Sequence, residues 1–189
     1  MERAEDIKNS IKAIREGGII IYPTDTIWGL GCDATNLLAV EKIFEVKNRE
    51  ETKSLIILVD GIAMLERYVA EVPEIAYQLI EVTDSPLTII YPKGKNLAKG
   101  VCATDGSVGI RVCEVPFCAE LIRGLRKPIV STSANFSGAP SPTSFSGIDP
   151  KLIEMVDYVA EYRRDNANMV KASSLIKINA DGTIAILRK

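Results

Sequence analysis

Residues 17–26 read GGIIIYPTDT, and this stretch decides the fold class. The glycine pair interrupts the helical spacing of Ile7, Ile11 and Ile14, and the apolar run that follows is typical of a buried strand. Hydroxyl and carboxylate side chains stand where that strand ends. The pattern therefore predicts a helix, a break and a buried strand that delivers polar groups to its carboxyl end.

The alternation of helix and strand continues along the chain. A second helical pattern covers about residues 36–47, and a strand is predicted at 54–59. Further helices are predicted near 63–69, 73–82, 116–125 and 150–155, and further strands at 87–91, 107–112, 128–132, 173–178 and 183–187. The pattern indicates an α/β protein with a mixed sheet.

The composition excludes several classes of protein. A formal net charge of −2 and a hydrophobic fraction of 47% are typical of a globular chain and do not favour a general nucleic-acid binder. The chain has no histidine, which excludes Ser-His-Asp and Cys-His catalytic sets and zinc sites built on histidine. Its four cysteines form no Cys-x-x-Cys pair, so we interpret them as buried free thiols.

Domain organisation and location follow from two further observations. Residues 131–147 are dense in Ser, Gly, Pro and Thr, yet strands on both sides are needed to complete the sheet, so we interpret them as an ordered functional loop. No apolar signal region follows the N-terminal Met, and no stretch approaches the ~20 apolar residues of a membrane span. We expect a cytoplasmic protein that does not contact membranes.

The first candidate ligand site is the polar turn formed by Thr24, Asp25 and Thr26, which leads into WGLGC at 28–32. In open α/β sheets ligands bind outside the carboxyl ends of strands, and glycines let the backbone approach a ligand closely. A plain turn, held by side-chain bonds to the backbone, explains the same residue types. The residue types alone leave both interpretations open.

The second candidate is a cluster of cations, Lys47, Arg49 and Lys53, at the end of a predicted helix. Cations at a helix C-terminus also complement the macrodipole, which explains much of the pattern without a ligand. Together with Arg111, at the end of a predicted strand, the cluster would also be able to hold a triphosphate and a carboxylate.

The third candidate is the segment VSTSANFSG at 130–138, where another strand runs into hydroxyl and amide groups. Such a loop can donate several hydrogen bonds to phosphate oxygens, although a Ser/Asn-rich turn without a ligand is commoner. Neither a Walker A order nor Gly-x-Gly-x-x-Gly is present. Arg188 follows the apolar run 184–187, so a strand fixes its position.

Four motifs occur in order: GIIIYPTDTIWGLG at 18–31, KNR at 47–49, SVGIR at 107–111 and SANFSG at 133–138. Together they resemble the YrdC family of threonylcarbamoyl-adenylate synthases. The resemblance covers about residues 5–189. It implies an open, twisted, mixed parallel and antiparallel sheet flanked by helices around a large concave basic cavity. We expect a single domain over residues 1–189, without the C-terminal domain of the longer family members.

The resemblance also implies an activity. The protein would be a nucleotidyltransferase that combines L-threonine, bicarbonate and ATP into threonylcarbamoyl-AMP and pyrophosphate. ATP would arrive with Mg²⁺, and the protein itself would hold neither a metal nor a tightly bound cofactor. A partner tRNA threonylcarbamoyl transferase would receive the product and modify an adenosine in tRNA, with at most a weak contact between this chain and the tRNA.

The resemblance divides the candidate residues between two substrates. L-threonine would be held by Thr26, Arg111 and one of Ser173 and Ser174. Both serines stay candidates, because the match to the family motif is shifted by one residue in the segment before Arg188. The residues implied for ATP are Arg49, Lys53, Ser107, Ser131, Ser133, Asn135 and Arg188. Lys47 and Arg49 would be catalytic, because they would neutralise charge on bicarbonate and phosphate.

The absence of histidine is compatible with this chemistry. Carboxylation of the threonine amine and attack of the carbamate on the α-phosphorus need alignment and anion neutralisation more than a protein nucleophile. Two other interpretations stay open. An RNA-binding module would use the same cationic cavity for an RNA backbone, and a carbamoyl-transfer module of related fold would ignore threonine.

The proposed role of Arg49 can be tested directly. Replacing Arg49 with Ala should abolish threonine-dependent release of pyrophosphate and leave the fold intact, because the guanidinium would neutralise the reacting anions. Pyrophosphate release and the circular dichroism spectrum measure the two effects. Unchanged turnover would contradict the role.

Overall fold

The computed structural model describes residues 2–48, 55–165 and 172–189. Its strands are β1 (Ile20–Tyr22), β2 (Gly29–Gly31), β3 (Ile56–Val59), β4 (Leu87–Tyr91), β5 (Val108–Val112), β6 (Ile129–Ser133), β7 (Tyr158–Val159), β8 (Ser174–Ile178) and β9 (Ile184–Arg188). All nine described strands form one sheet in the order β7-β1-β2-β6-β3-β5-β4-β8-β9. The pairs β1–β7, β3–β5 and β4–β8 are parallel and the others antiparallel, so the predicted mixed sheet is confirmed.

The predicted helices are also confirmed. They are α1 (Arg3–Arg15), α2 (Leu37–Lys47), α3 (Ile62–Tyr68), α4 (Glu74–Val82), α5 (Pro116–Leu125) and α6 (Pro150–Glu154). Their starts follow local chemistry. The Asn36 side chain accepts a hydrogen bond from the Ala39 amide and caps α2, and the Asp149 side chain caps α6 in the same way. Pro116 opens α5, where its missing N–H has no cost.

The core forms around the fully buried strand β1, as the opening stretch of sequence predicts. Ile20, Ile21 and Tyr22 are inaccessible to solvent, because β2 and β7 cover the two edges of β1 and helix α1 packs against it. The four cysteines are free thiols; Cys102 is half-buried and the other three are buried. Within the described ranges, no helix combines the length and apolar character needed to cross a bilayer.

The Ser-, Gly- and Pro-rich loop predicted at 131–147 packs against the core. It continues from β6 and contains a 3₁₀ turn at Phe145–Gly147. The Phe145 ring contacts the buried Trp28 ring, with 5.0 Å between the centroids. This contact agrees with the expectation that the segment is ordered.

Two strands, β2 and β7, were not expected from the sequence. Strand β2 is Gly-Leu-Gly, and glycine disfavours strands in isolation. Here the glycines allow a close approach, because a Cβ atom on Gly31 would lie 2.3 Å from the Val130 carbonyl oxygen and 2.7 Å from the Tyr22 ring. Packing against β1 and β6 therefore outweighs local preference.

We predict that Gly31→Ala lowers the free energy of unfolding by about 2 kcal/mol or more, because the new methyl group would overlap backbone that cannot move. Urea denaturation followed by circular dichroism measures the change. Gly61→Ala is the matched control, since a Cβ atom there meets nothing within 4 Å. Equal stability of the two variants would contradict the steric argument.

Candidate functional site

A cavity of about 210 Å³ lies on the face of the sheet that carries the Arg111 side chain. Side chains reach it from β4, β5, β6, the segment before β8, the end of β9 and the turn after β1. It brings together six residues predicted from the sequence: Thr26, Arg111, Ser131, Ser133, Ser173 and Arg188. Two guanidinium groups and several hydroxyls face one space, and no carboxylate occurs among the described lining residues. Such a surface suits anionic ligands.

Arg111 is the best-defined charge of the site. Its side chain is only 2% exposed, and its Nη2 atom lies 3.0 Å from Oδ1 of Asp25. Its Nη1 atom donates a hydrogen bond of 3.2 Å to the Thr26 hydroxyl. The Nε donor is buried and has no partner in the described structure, so the guanidinium keeps unused hydrogen-bonding capacity.

The turn at 23–27 satisfies both interpretations that the sequence left open. The Thr24 hydroxyl donates to the Ile27 carbonyl at 2.7 Å and accepts from the Thr26 amide at 3.1 Å, which is a turn held by its own side chains. Thr24 and Thr26 nevertheless both line the cavity. Side-chain bonding within the turn therefore fixes the hydroxyls that face a ligand.

The structure distinguishes the two candidate serines near the C-terminus. Ser173 is buried and lines the cavity, whereas Ser174 begins β8 and does not belong to the lining. The Ser173 hydroxyl lies 2.8 Å from the Thr88 hydroxyl. Sequence reasoning missed Thr88; its polar side chain within the apolar strand LTIIY was the available signal.

A β-bulge places Arg188 in the cavity. Strand β9 pairs Ile186 with Ile176, but Arg188 pairs with Leu175, so Leu187 is an extra residue. Paired residues share a face of the sheet, and Leu175 lines the cavity. Without the bulge, Arg188 would face the other side. The Nε atom of Arg188 donates to the Ser173 carbonyl at 2.8 Å.

Lys47 lies beneath the loop that follows β6 and is only 1% exposed. Its ammonium group donates to the carbonyl oxygens of Ser133 at 2.5 Å and Asn135 at 2.6 Å. The Asn135 side chain bonds the Ser133 hydroxyl and the Ala139 carbonyl. In this geometry Lys47 positions the loop, and its predicted contact with substrates stays a prediction.

Several predicted residues are not among those that line the cavity. They are Lys47, Ser107, Asn135 and Ser174. Ser107 precedes β5 and, by strand alternation, lies on the same face of the sheet as Arg111, but it does not line the cavity. Arg49 and Lys53 lie outside the described residues, and their roles stay predictions.

Two of the buried thiols, Cys32 and Cys118, are poor nucleophiles. A hydrogen bond with Cys113, followed by burial, raises the pKa of the Cys118 thiol well above its usual value. Burial also raises the pKa of Cys32. Thiols of this kind stay protonated at neutral pH and react poorly. Among the described residues, no group of three or more acidic or thiol side chains is arranged to hold a metal ion.

A family model covering Sua5, YciO and YrdC, described as "Telomere recombination", matches residues 12–189. The chain belongs to the Sua5/YciO/YrdC family. This result confirms the resemblance carried by the four sequence motifs. A curated family member from Stenotrophomonas maltophilia, named threonylcarbamoyl-AMP synthase, is 30% identical over 158 residues, which are 82% of this chain and 85% of the relative.

Two solved structures of the Sua5/YciO/YrdC family have the same fold. P. abyssi Sua5 complexed with L-threonine is 30% identical with a TM-score of 0.87, and the match covers 100% of this chain and 54% of the Sua5 chain. The chain therefore spans about half the length of Sua5. E. coli YciO matches with a TM-score of 0.82 at 23% identity, over 100% of this chain and 90% of YciO. The RNA-binding alternative is not favoured, since the curated relative is named as an enzyme.

We predict that Lys47→Met lowers the free energy of unfolding by about 2 kcal/mol, because two carbonyl groups lose a charged donor. Urea denaturation measures the change. Lys42→Met is the control, since Lys42 is an exposed residue of the same helix. A loss no larger than that of the control would show that the ammonium does not hold the loop.

Proposed function

We propose that the protein is a threonylcarbamoyl-AMP synthase, a nucleotidyltransferase that joins L-threonine, bicarbonate and ATP. The observation that carries the proposal is the convergence of six predicted residues from separate parts of the chain on one cavity. The names of the family relatives support the same reaction. We further propose that residues 1–189 act as one domain.

Arg111 would bind the carboxylate of L-threonine. A guanidinium recognises a carboxylate through paired N–H donors, and Asp25 and Thr26 already orient this one. Their contacts offset the cost of burying the charge while leaving the Nε donor unused. The hydroxyls of Thr26 and Ser173 would bind the remaining polar groups of threonine.

The triphosphate would lie against the other part of the cavity. Ser131 and Ser133 offer hydroxyl donors from β6, and Arg188 offers a second guanidinium from β9. The family motifs add four further residues to this group: Arg49, Lys53, Ser107 and Asn135. Magnesium would enter with ATP as part of the substrate, and its charge would balance the phosphates.

The reaction requires alignment of three reactants, each of which carries an anionic group. The threonine amine is carboxylated by bicarbonate with loss of water, and a carbamate oxygen then attacks the α-phosphorus of ATP. The bond to the β-phosphate oxygen breaks and pyrophosphate leaves. The cations and hydroxyls would hold the reactants in line and neutralise charge as it develops. The sequence offers no imidazole as a general base.

The product would pass to a transferase that modifies an adenosine in tRNA. A mixed anhydride of a carbamate and a phosphate hydrolyses readily, so transfer to a nearby partner would limit its loss. We propose that this hand-over takes place in the cytoplasm and that direct contact with tRNA is weak.

Incubating the purified protein with Mg·ATP, bicarbonate and one amino acid at a time tests the proposal. Threonine should give both pyrophosphate and a species with the mass of threonylcarbamoyl-AMP. Valine, which replaces the threonine hydroxyl with a methyl group, is the matched control substrate. Pyrophosphate release that does not depend on threonine would favour the carbamoyl-transfer interpretation.

We predict that Arg188→Ala lowers kcat/KM for ATP by about tenfold or more, because a guanidinium directed at phosphate is lost. Lys189→Ala removes the same charge one residue away and should have little effect. Steady-state kinetics at varied ATP concentration measure both variants. Equal losses would mean that net charge, and not the placement of Arg188 by the bulge, sets the affinity.

A further inference from the structure

A second cavity, of about 360 Å³, lies on the opposite face of the sheet from the proposed active site. Strand alternation separates the two spaces. Arg111 lines the first cavity, whereas its neighbours Ile110 and Val112 line the second. The volume falls within the range of small-molecule sites, about 300–1,000 Å³. The proposed synthase reaction makes no use of this space.

The lining of the second cavity combines an apolar floor with an acidic rim. Strands β4 and β5 supply the floor, and α4 covers it with Ile80. Three carboxylates, Asp25, Asp84 and Glu114, contribute to the rim. No lysine or arginine occurs among the described residues that line it. The cavity is therefore complementary to a ligand that carries both hydrocarbon and positive charge.

Tyr91 presents an unpaired hydroxyl to this cavity. Tyr91 lines the floor and is only 1% exposed, yet no hydrogen bond joins its hydroxyl to any described residue. The hydroxyl is not among the described buried atoms that lack a hydrogen-bond partner, so it is the part of this residue that stays accessible from the cavity. A ligand with an N–H donor would supply the missing bond.

Asp25 also has bonding capacity left. Its Oδ1 atom forms the ion pair with Arg111 and accepts a hydrogen bond of 3.6 Å from the Cys113 thiol. Its Oδ2 atom takes part in no hydrogen bond or ion pair with a described residue. Asp25 is one of the residues that line the second cavity, where an ammonium group would be its natural partner.

We propose that this second cavity binds a primary alkylammonium group. The ammonium group would bond Asp25, beside the end of β5, and the methylene chain would pack on the floor formed by Ile89, Tyr91 and Ile110. Asp84 and Glu114 would attract the ligand, and a second ammonium group, where one is present, would bond the Tyr91 hydroxyl, which lies toward the start of β5. The proposal is independent of the synthase reaction, since it requires neither threonine nor ATP.

Isothermal titration calorimetry with cadaverine, a five-carbon diamine, tests the proposal on the full chain. Cadaverine should bind, and 1,5-pentanediol, which has the same length without charge, should not. The double variant D84N/E114Q should weaken cadaverine binding by about tenfold, because both residues are exposed rim carboxylates. The control E41Q/E154Q removes the same charge from exposed positions that do not line the cavity and should bind as the unmodified protein does.

Tyr91→Phe provides a second test that preserves the shape of the core. It removes only the unpartnered hydroxyl, so the stability of the protein should be retained while cadaverine binding weakens by about threefold. Nα-acetyl-lysine methylamide distinguishes two sources of the same chemistry. Tighter binding of this compound than of cadaverine would assign the site to a lysine side chain of another protein, and the reverse would assign it to a free diamine.

Three results would overturn the proposal. They are failure of both amines to bind, equal binding of 1,5-pentanediol, and unchanged cadaverine affinity in D84N/E114Q.

Discussion

The burial of one positive charge, the guanidinium of Arg111, constrains much of this structure. A buried charge must be paired, and here the partners come from the turn after β1, through Asp25 and the Thr26 hydroxyl. Arg111 itself is carried by β5, which lies four strands away from β1 in the sheet. The pair therefore joins two distant parts of the chain and holds the polar turn over the sheet. The same pair orients the donors that we assign to substrate binding.

The alternation of side chains along the strands determines how the molecule uses its two faces. On β5, Arg111 faces the proposed active site while Ile110 and Val112 face the acidic cavity on the other side. Asp25 connects the two spaces, since it pairs with Arg111 and also lines the second cavity. The proposed synthase site thus gathers positive charge and hydroxyls, and the opposite cavity gathers negative charge and apolar surface.

The elements that were predicted from the sequence are those with an apolar pattern of their own. Helices α1 and α5 and strand β4 have such patterns, and β1 lies in the continuous apolar run 19–22, so their own sequences favour them. Strand β2 is Gly-Leu-Gly and forms only because β1 and β6 lie close on either side. Thr88 was missed for a related reason. A single hydroxyl in an apolar strand does not indicate a site by itself, and only the tertiary structure shows that the Ser173 hydroxyl lies 2.8 Å away.

The sequence by itself determined the family, the mixed α/β sheet and the residue types of the site, because these depend on periodicity and on local motifs. The tertiary structure alone decided which of those residues share a cavity. It placed Ser173 and not Ser174 in the lining, directed Arg188 inward through the extra residue Leu187, and used Lys47 to hold the loop after β6. The physical reason is that register, bulges and the pairing of buried charges are relations between segments far apart in the chain, and no local pattern encodes them.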